Sequence, residues 1–215
     1  MSFARPAFPV VLAAPSGAGK TTLARMLVTR NEDLVFSISA TTRAARPREK
    51  DGRDYHFVDD ATFDRMIERN ELAEWAVVHG NRYGTPRSEI TAALRHGRTV
   101  VLDIDVQGAR QVRRVFPDAL LIFVLPPSAS ALAARLTGRA SEDPGERRRR
   151  LTNARREIEA VREFDYVVVN DDLARAYRVV ESILRAEWGR VSRIRDLEAH
   201  ARHLIADLDE LIRAG

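Results

Sequence analysis

Residues 10–22 read Val-Val-Leu-Ala-Ala-Pro-Ser-Gly-Ala-Gly-Lys-Thr-Thr, an apolar run, a glycine-rich turn, then a stretch of helix formers. The chain carries 35 Lys and Arg residues, and only Lys20 and Lys50 of them are lysine. A basic position is therefore nearly always arginine here, and the lysine inside the turn stands out. A buried strand, a Gly-x-Gly-Lys-Thr turn and a helix form the context in which a phosphate-binding loop is credible. The glycines let successive backbone N–H groups curl around phosphate oxygens, and the helix N-terminus adds its positive end. Lysine supplies a compact mobile charge where the planar arginine fork does not fit. Ala14, Pro15, Ser16, Gly17, Ala18, Gly19, Lys20, Thr21 and Thr22 are thus the expected phosphate contacts, with the Thr21 hydroxyl offered to magnesium. An ordinary strand-to-helix glycine turn is the competing reading. Ala14 stands where the bare pattern has its first glycine, which costs little if this residue ends the strand with negative φ.

Outward from this turn, apolar runs alternate with helix-period stretches. Strands are expected at 9–14, 35–39, 72–78, 99–105, 119–125 and 166–170, and helices at 21–30, 60–70, 88–97, 172–187 and 196–213. The runs at 99–105, 119–125 and 166–170 are continuously apolar and separated by helices. This is the signature of a parallel sheet covered on both faces, hence an α/β fold. "GNRYG" at 80–84 reads as a turn, and the polar segment 40–59 as an insertion over the sheet.

Composition bounds the chemistry. At 215 residues and 45% hydrophobic the chain can bury a substantial core. It has no cysteine, which removes disulfides, thiolate metal sites and thiol nucleophiles. "PAFPVVLAAP" after Arg5 faintly resembles a signal peptide, but two prolines break it and the glycine turn follows at once. No run approaches the roughly 18–20 apolar residues of a membrane span. The expectation is a cytoplasmic protein with no membrane partner. The net charge is +4, with 31 acidic residues interleaved among the basic ones. A nucleic-acid binder should show stacking aromatics between its arginines. Aromatics make up 7% and read mostly as core, so no nucleic-acid partner is expected. "ERRRR" at 146–150 is either a solvated helix face or the source of one or two cations for an anionic ligand. His200 and His203 share a helix face, where a solvated helix is the expectation over a metal site.

Downstream of "APSGAGKTT", the stretches "SISATTRAARPREKDGRDYHF" (37–57), "ELAEWAVVHGNRYGTP" (71–86) and "VVLDIDVQGA" (100–109) follow in an order that resembles guanylate kinase. "LPPS" (125–128) and "NDD" (170–172) extend the resemblance, which runs from about Val10 to Trp188. It implies a P-loop kinase with a central parallel sheet, an inserted GMP-binding subdomain and a lid. The implied division is core 1–36, GMP-binding subdomain 37–95, core 96–135, lid 136–150, core 151–195 and a C-terminal helical extension 196–215.

Arg43, Arg46, Tyr55 and Tyr83 match the family's grip on the monophosphate. Bidentate forks and neutral hydroxyl donors suit that task, although each residue alone could be surface or core. Glu74 and Asp105 match the acceptors of guanine N1–H and N2–H, while Ser39 and Thr85 match the hydroxyls that read O6. Glu74 could instead face solvent, since Trp75 alternates with it. Asp103 and Asp105, as acid-x-acid ending a strand, would share one side, and Asp103 would stand near magnesium through water. Arg135, Arg139 and Arg150 match lid cations that act on the ATP phosphates with Lys20. Ala140 and Pro144-Gly145 depart from the family's usual lid. The implied reaction is magnesium-dependent transfer of the ATP γ-phosphoryl group to GMP. Alternatives are a catalytically silent protein-binding module of the same fold, or a related kinase for another phosphorylated acceptor. The second would lack the Glu74 and Asp105 pair. Monomer and homo-oligomer are both open.

Overall fold

The computed structural model of the chain describes residues 3–78, 80–137 and 144–214. Its centre is a five-stranded parallel sheet in the order β2-β7-β1-β8-β9. The strands are β1 (Pro9–Ala13), β2 (Leu34–Phe36), β7 (Thr99–Asp103), β8 (Leu120–Leu125) and β9 (Tyr166–Val169). The period of two sorts β1 cleanly. Val10 and Leu12 enter a cluster with Leu23 and Leu27 of α1 (Lys20–Arg30) and with Val180 and Leu184 of α7 (Leu173–Trp188). Val11 and Ala13 enter the opposite cluster, with Ile90 of α3 (Arg87–Arg95) and Ala109 and Val112 of α4 (Val106–Val115). Burial on both faces is why these strands read as unbroken apolar runs.

From β1 the chain steps to β2 and back through β7 on one side, then crosses to β8 and β9 on the other. The carboxyl ends of β1, β7 and β8 therefore border a crevice at the point where strand order reverses, the usual ligand position in open α/β sheets.

Between β2 and β7 the chain builds a second sheet in the order β4-β3-β6-β5. Its strands are β3 (Ala40–Thr41), β4 (His56–Phe57), β5 (Leu72–Val78) and β6 (Asn81–Pro86). α2 (Asp60–Glu68), capped by the Asp59 side chain on the Thr62 N–H at 2.7 Å, packs Phe63 against this sheet with Ala40 and Leu72. The segment read as a turn at 80–84 is in fact mostly β6. Val78 pairs with Asn81, so only two residues make the connection, and Tyr83 and Gly84 are strand residues. The glycines and the asparagine mimicked turn chemistry, but cross-strand pairing with β3 and β5 prevails over it.

Two further helices, α5 (Ala129–Thr137) and α6 (Pro144–Glu159), pack Leu132 and Leu136 against Ala154. The last helix, α8 (Leu197–Ala214), has no buried residue. Among the described residues no helix is long and apolar enough to cross a membrane.

Candidate active site

β1 ends at Ala13 and α1 begins at Lys20, so residues 14–19 form the loop between them. Among the described residues only Arg48 and Asn70 take positive φ without being glycine, so Ala14 needs no glycine's freedom. Gly19, the N-cap of α1, stands at φ +88°, and a Cβ there would come 2.4 Å from Asn170 Nδ2. Asn170 is buried and donates from that same nitrogen to the Ala18 carbonyl at 2.8 Å, tying the loop to the end of β9. The sequence reading did not assign Asn170 a part. Its signal was a polar residue closing the run "YVVVN".

Residues 14–22 line a cavity of about 570 Å³ together with Asp103, Asp105, Arg135 and Glu157. Lys20 Nζ lies 2.8 Å from Asp103 Oδ1 and also donates to the Ile104 carbonyl. Arg135 donates to the Asn170 carbonyl at 3.1 Å and the Ala18 carbonyl at 3.4 Å, which holds its guanidinium against the loop. Glu157 of α6 accepts from the Ser16 N–H at 3.4 Å. Burial first, with Asp105 nearby, pushes its carboxyl above the ordinary range. Sequence reasoning passed over Glu157, because nothing in "ARREIE" separates it from a surface acid. Arg150, in α6, is partly exposed, and Arg139 lies outside the described residues.

A second cavity of about 530 Å³ is lined by Ser37, Ser39, Tyr55, Thr85, Thr21 and Asp103, among others. Thr21 and Asp103 line both cavities, so the two meet there. Beside the second cavity, Arg43 is built into a cluster. Its guanidinium donates to Glu49 at 2.9 Å, to the Ala44 carbonyl at 2.7 Å and to the Tyr83 hydroxyl at 3.2 Å. It also lies over the Tyr55 ring, 5.4 Å from its centroid. The Glu49 hydrogen bond is the main reason its pKa rises further, and the same bond lowers that of Glu49. Burial, with Tyr83 adding to it, raises the Tyr55 phenol. Glu49 also accepts from the Arg46 N–H at 2.7 Å, while Arg46 itself is exposed. The Ser37 hydroxyl is buried without a hydrogen-bond partner among the described residues. Ser37 and Ser39 both line this cavity.

Glu74 faces inward and is 6% exposed, whereas Trp75 is 38% exposed, which removes the solvent-facing alternative. The register shift between Leu72 and Glu74 lets Leu72, Ala73 and Glu74 be buried in succession. Gln111 of α4 clamps the Trp75 backbone, accepting from its N–H at 3.1 Å and donating to its carbonyl at 3.0 Å. Glu74 Oε1 accepts from the Thr85 hydroxyl at 2.6 Å. Burial above all, then the charge of Asp105, pushes the Glu74 carboxyl up to about 7, against the pull of the Thr85 bond.

Asp105 requires a correction. β7 ends at Asp103, and Asp105 is the N-cap of α4, accepting from the Gly108 N–H at 2.7 Å. The strand alternation invoked for acid-x-acid does not apply to the pair, because the backbone turns into the helix between them. Both carboxylates nevertheless line the loop cavity.

The arrangement offers a phosphate-shaped loop with two cations on one side and, on the other, a pocket whose lining residue Thr85 is bonded to the buried Glu74 carboxylate. Comparison with known proteins agrees with this. The guanylate kinase family model matches residues 7–187. Guanylate kinase of Nitrobacter winogradskyi is 49% identical over 200 residues, 93% of this chain and 91% of that protein. Guanylate kinase of Dechloromonas aromatica is 52% identical over 176 residues, 82% and 87% of the two chains. A crystal structure of guanylate kinase from Anaplasma phagocytophilum superposes with a TM-score of 0.72 at 35% identity, covering 92% of this chain and 94% of that one.

Proposed function

Because this chain belongs to the guanylate kinase family and is an ATP:GMP phosphotransferase, we propose that transfer occurs where its two cavities meet, at Thr21 and Asp103. That shared wall is the observation that carries the reading. A donor phosphate in the loop cavity and an acceptor phosphate in the second one approach each other only there. Lys20 and Arg135 neutralise charge on the transferring group, with Arg139 and Arg150 of the proposed lid, 136–150, completing the set. Closure of that lid excludes water that would otherwise hydrolyse ATP. The proposed GMP-binding segment is 37–95. Its Arg43, Arg46, Tyr55 and Tyr83 hold the acceptor phosphate, and Glu49 sets the Arg43 fork.

Family membership implies magnesium-dependent use of ATP. The donor set fits. Thr21 and Asp103 are hard oxygen ligands, and among the described residues no group of three or more His, Asp or Glu forms a cage. Magnesium typically takes one or two protein ligands and completes its shell with phosphates and water. Thr21 and Asp103 are the residues that would hold the ion, which would supply positive charge against the phosphates.

Glu74 takes guanine N1–H and Asp105 the N2 amine. Once N1–H occupies Glu74, the Thr85 hydroxyl is released to donate to O6, with Ser39 beside it. ADP formation measured with GMP, AMP, UMP and CMP as acceptors tests the assignment. GMP alone should support rapid turnover, and equal use of another acceptor would overturn it.

A pH effect follows from Glu74. Accepting N1–H requires the carboxylate, and the free group is half protonated near pH 7. KM for GMP should therefore rise about tenfold for each unit of pH below about 6.5, and Glu74→Gln should abolish that slope. Stability has the opposite sign. A raised folded pKa means that burial favours the neutral form, so stability is greatest below about 4.5 and falls as pH rises toward 7. The loss has an upper bound of about 3 kcal/mol. Glu157 shares the sign. Wild-type Tm should thus drop between pH 5 and pH 8, and the Glu74→Gln variant should drop less.

Gly108 is expected to act through Glu74. A Cβ at this position would lie 2.9 Å from Glu74 Oε2 and 3.2 Å from the Ile104 Cβ. Gly108→Ala should displace the carboxylate and raise KM for GMP at least about tenfold with a smaller change in kcat. Unchanged KM would show that the carboxylate has room to move.

A further inference from the structure

Among the described residues, the charged side chains that line the second cavity are Arg25, Arg53, Asp54 and Asp103. Three of them are matched. Asp103 Oδ1 lies 2.8 Å from Lys20 Nζ, and Asp54 Oδ2 lies 2.7 Å from the Arg53 guanidinium. Arg25 makes no hydrogen bond or ion pair with any described residue. It is exposed, so nothing in the packing of α1 calls for its charge.

Its place on the helix is informative. Arg25 follows Thr21 by four residues of α1, a step that keeps both on one face, about 6 Å apart along the axis. Helical side chains lean toward the helix N-terminus, so Arg25 covers the turn that carries Thr21. Thr21 belongs to the wall where the two cavities meet, whereas Arg25 lines the second cavity and not the loop cavity. α1 packs against β2, and Ser37, the residue after β2, lines the same cavity with its unpartnered hydroxyl. This corner therefore holds two unspent donors, and each of its carboxylates already faces a cation. A group rich in acceptor oxygens and negatively charged completes such a set, as a phosphate does.

We propose that Arg25 binds the acceptor phosphate from the α1 side, as a cation additional to the Arg43 cluster. The inference rests on the seating of GMP in the second cavity proposed above. Arg43 is already committed to Glu49, the Ala44 carbonyl and Tyr83, so much of its charge is compensated before GMP arrives. A phosphate monoester carries about −1.5 to −2 charge at pH 7. Arg25 sets an uncompensated charge against it, beside the wall where the acceptor oxygen meets the donor phosphate.

Steady-state kinetics on the full chain with Arg25→Gln, Arg25→Lys and Arg25→Glu test this. Arg25→Gln should raise KM for GMP about tenfold, the loss of one charge-assisted contact, with kcat and KM for ATP within about twofold of wild type. Arg25→Lys should restore most of the affinity, and Arg25→Glu should raise KM for GMP to about thirtyfold. The melting temperature should not change, and the effect on KM should shrink as salt is added, because the side chain is exposed. Guanosine lacks the phosphate and should inhibit wild type and Arg25→Gln equally. Weaker guanosine inhibition in Arg25→Gln, or an equal rise in KM for ATP, overturns the proposal. Arg43→Ala is the reference for the cavity itself. If Arg43→Ala raises KM for GMP and Arg25→Gln does not, Arg25 is a solvated surface arginine and the proposal falls, while the cavity keeps its substrate. If neither change moves that KM, GMP does not bind in this cavity and both readings fall.

Discussion

Lys20→Arg is expected to lower kcat by about 10²–10³-fold, the loss typical of removing one well-placed charge from a transition state, although the formal charge is kept. The Lys20 ammonium sits at the head of α1 in the wall of the loop cavity, 2.8 Å from Asp103 and bonded to the Ile104 carbonyl. A point charge with three rotatable donors can leave these partners and follow a phosphoryl group. A guanidinium is wider, and its planar fork would lock onto Asp103 in bidentate fashion. Lys20 is not among the residues that line the acceptor pocket, so GMP affinity measured without ATP should stay near wild type. Retention of most turnover would reduce Lys20 to a generic cation.

The other large effect concerns the base. Glu74→Ala should lower kcat/KM for GMP by about 10²-fold or more, while the trace reaction with AMP changes little. In the proposed pocket GMP gives N1–H to a buried carboxylate whose hydrogen-bond partner among the described residues is Thr85. AMP offers no donor at either ring position. In the wild type Glu74 would then keep only its Thr85 bond and Asp105 only its Gly108 bond, each with an acceptor oxygen left without the donor guanine supplies. Each such group costs roughly 1–3 kcal/mol, and more when charged, so discrimination by several orders of magnitude follows. IMP keeps N1–H and lacks the N2 amine, and should fall between the two. Measuring kcat/KM for GMP, IMP and AMP on both proteins checks this. An unchanged GMP-to-AMP ratio in Glu74→Ala would falsify the pocket assignment.

Local chemistry made the core of this molecule legible in the sequence. β1, the loop and α1 are one contiguous stretch in which strand period, glycine positions and helix formers agree. The buried runs of β7, β8 and β9 are apolar throughout, so a parallel sheet between helices is the arrangement that covers them. Lys20 was marked by the chemistry of the loop itself, whereas the roles expected of Arg43, Glu74 and Asp105 came from resemblance to a family, through residue order rather than physics.

The second sheet was the hard part. β3 and β4 are two residues long, and their pairing joins positions far apart in the chain. No local period reports such short strands, so "GNRYG" passed for a turn. Which way Glu74 points was equally undecidable from alternation, because Trp75 is the better hydrophobic residue. Only the docking of α4, with the Gln111 clamp and the space left by Gly108, turns the carboxylate inward.

Sequence by itself determined the phosphate loop, the apolar strands of the core and the residue types that phosphoryl transfer needs, because turn chemistry and hydrophobic period are local signals. Tertiary structure alone decided three things. It tied Asn170 to the loop carbonyl of Ala18 and Glu157 to the Ser16 N–H, across 152 and 141 residues. It raised the Glu74 carboxyl to about 7. It also made Thr21 and Asp103 the common wall of two cavities. Each depends on which distant groups share a desolvated space, and the packing of separate elements sets that.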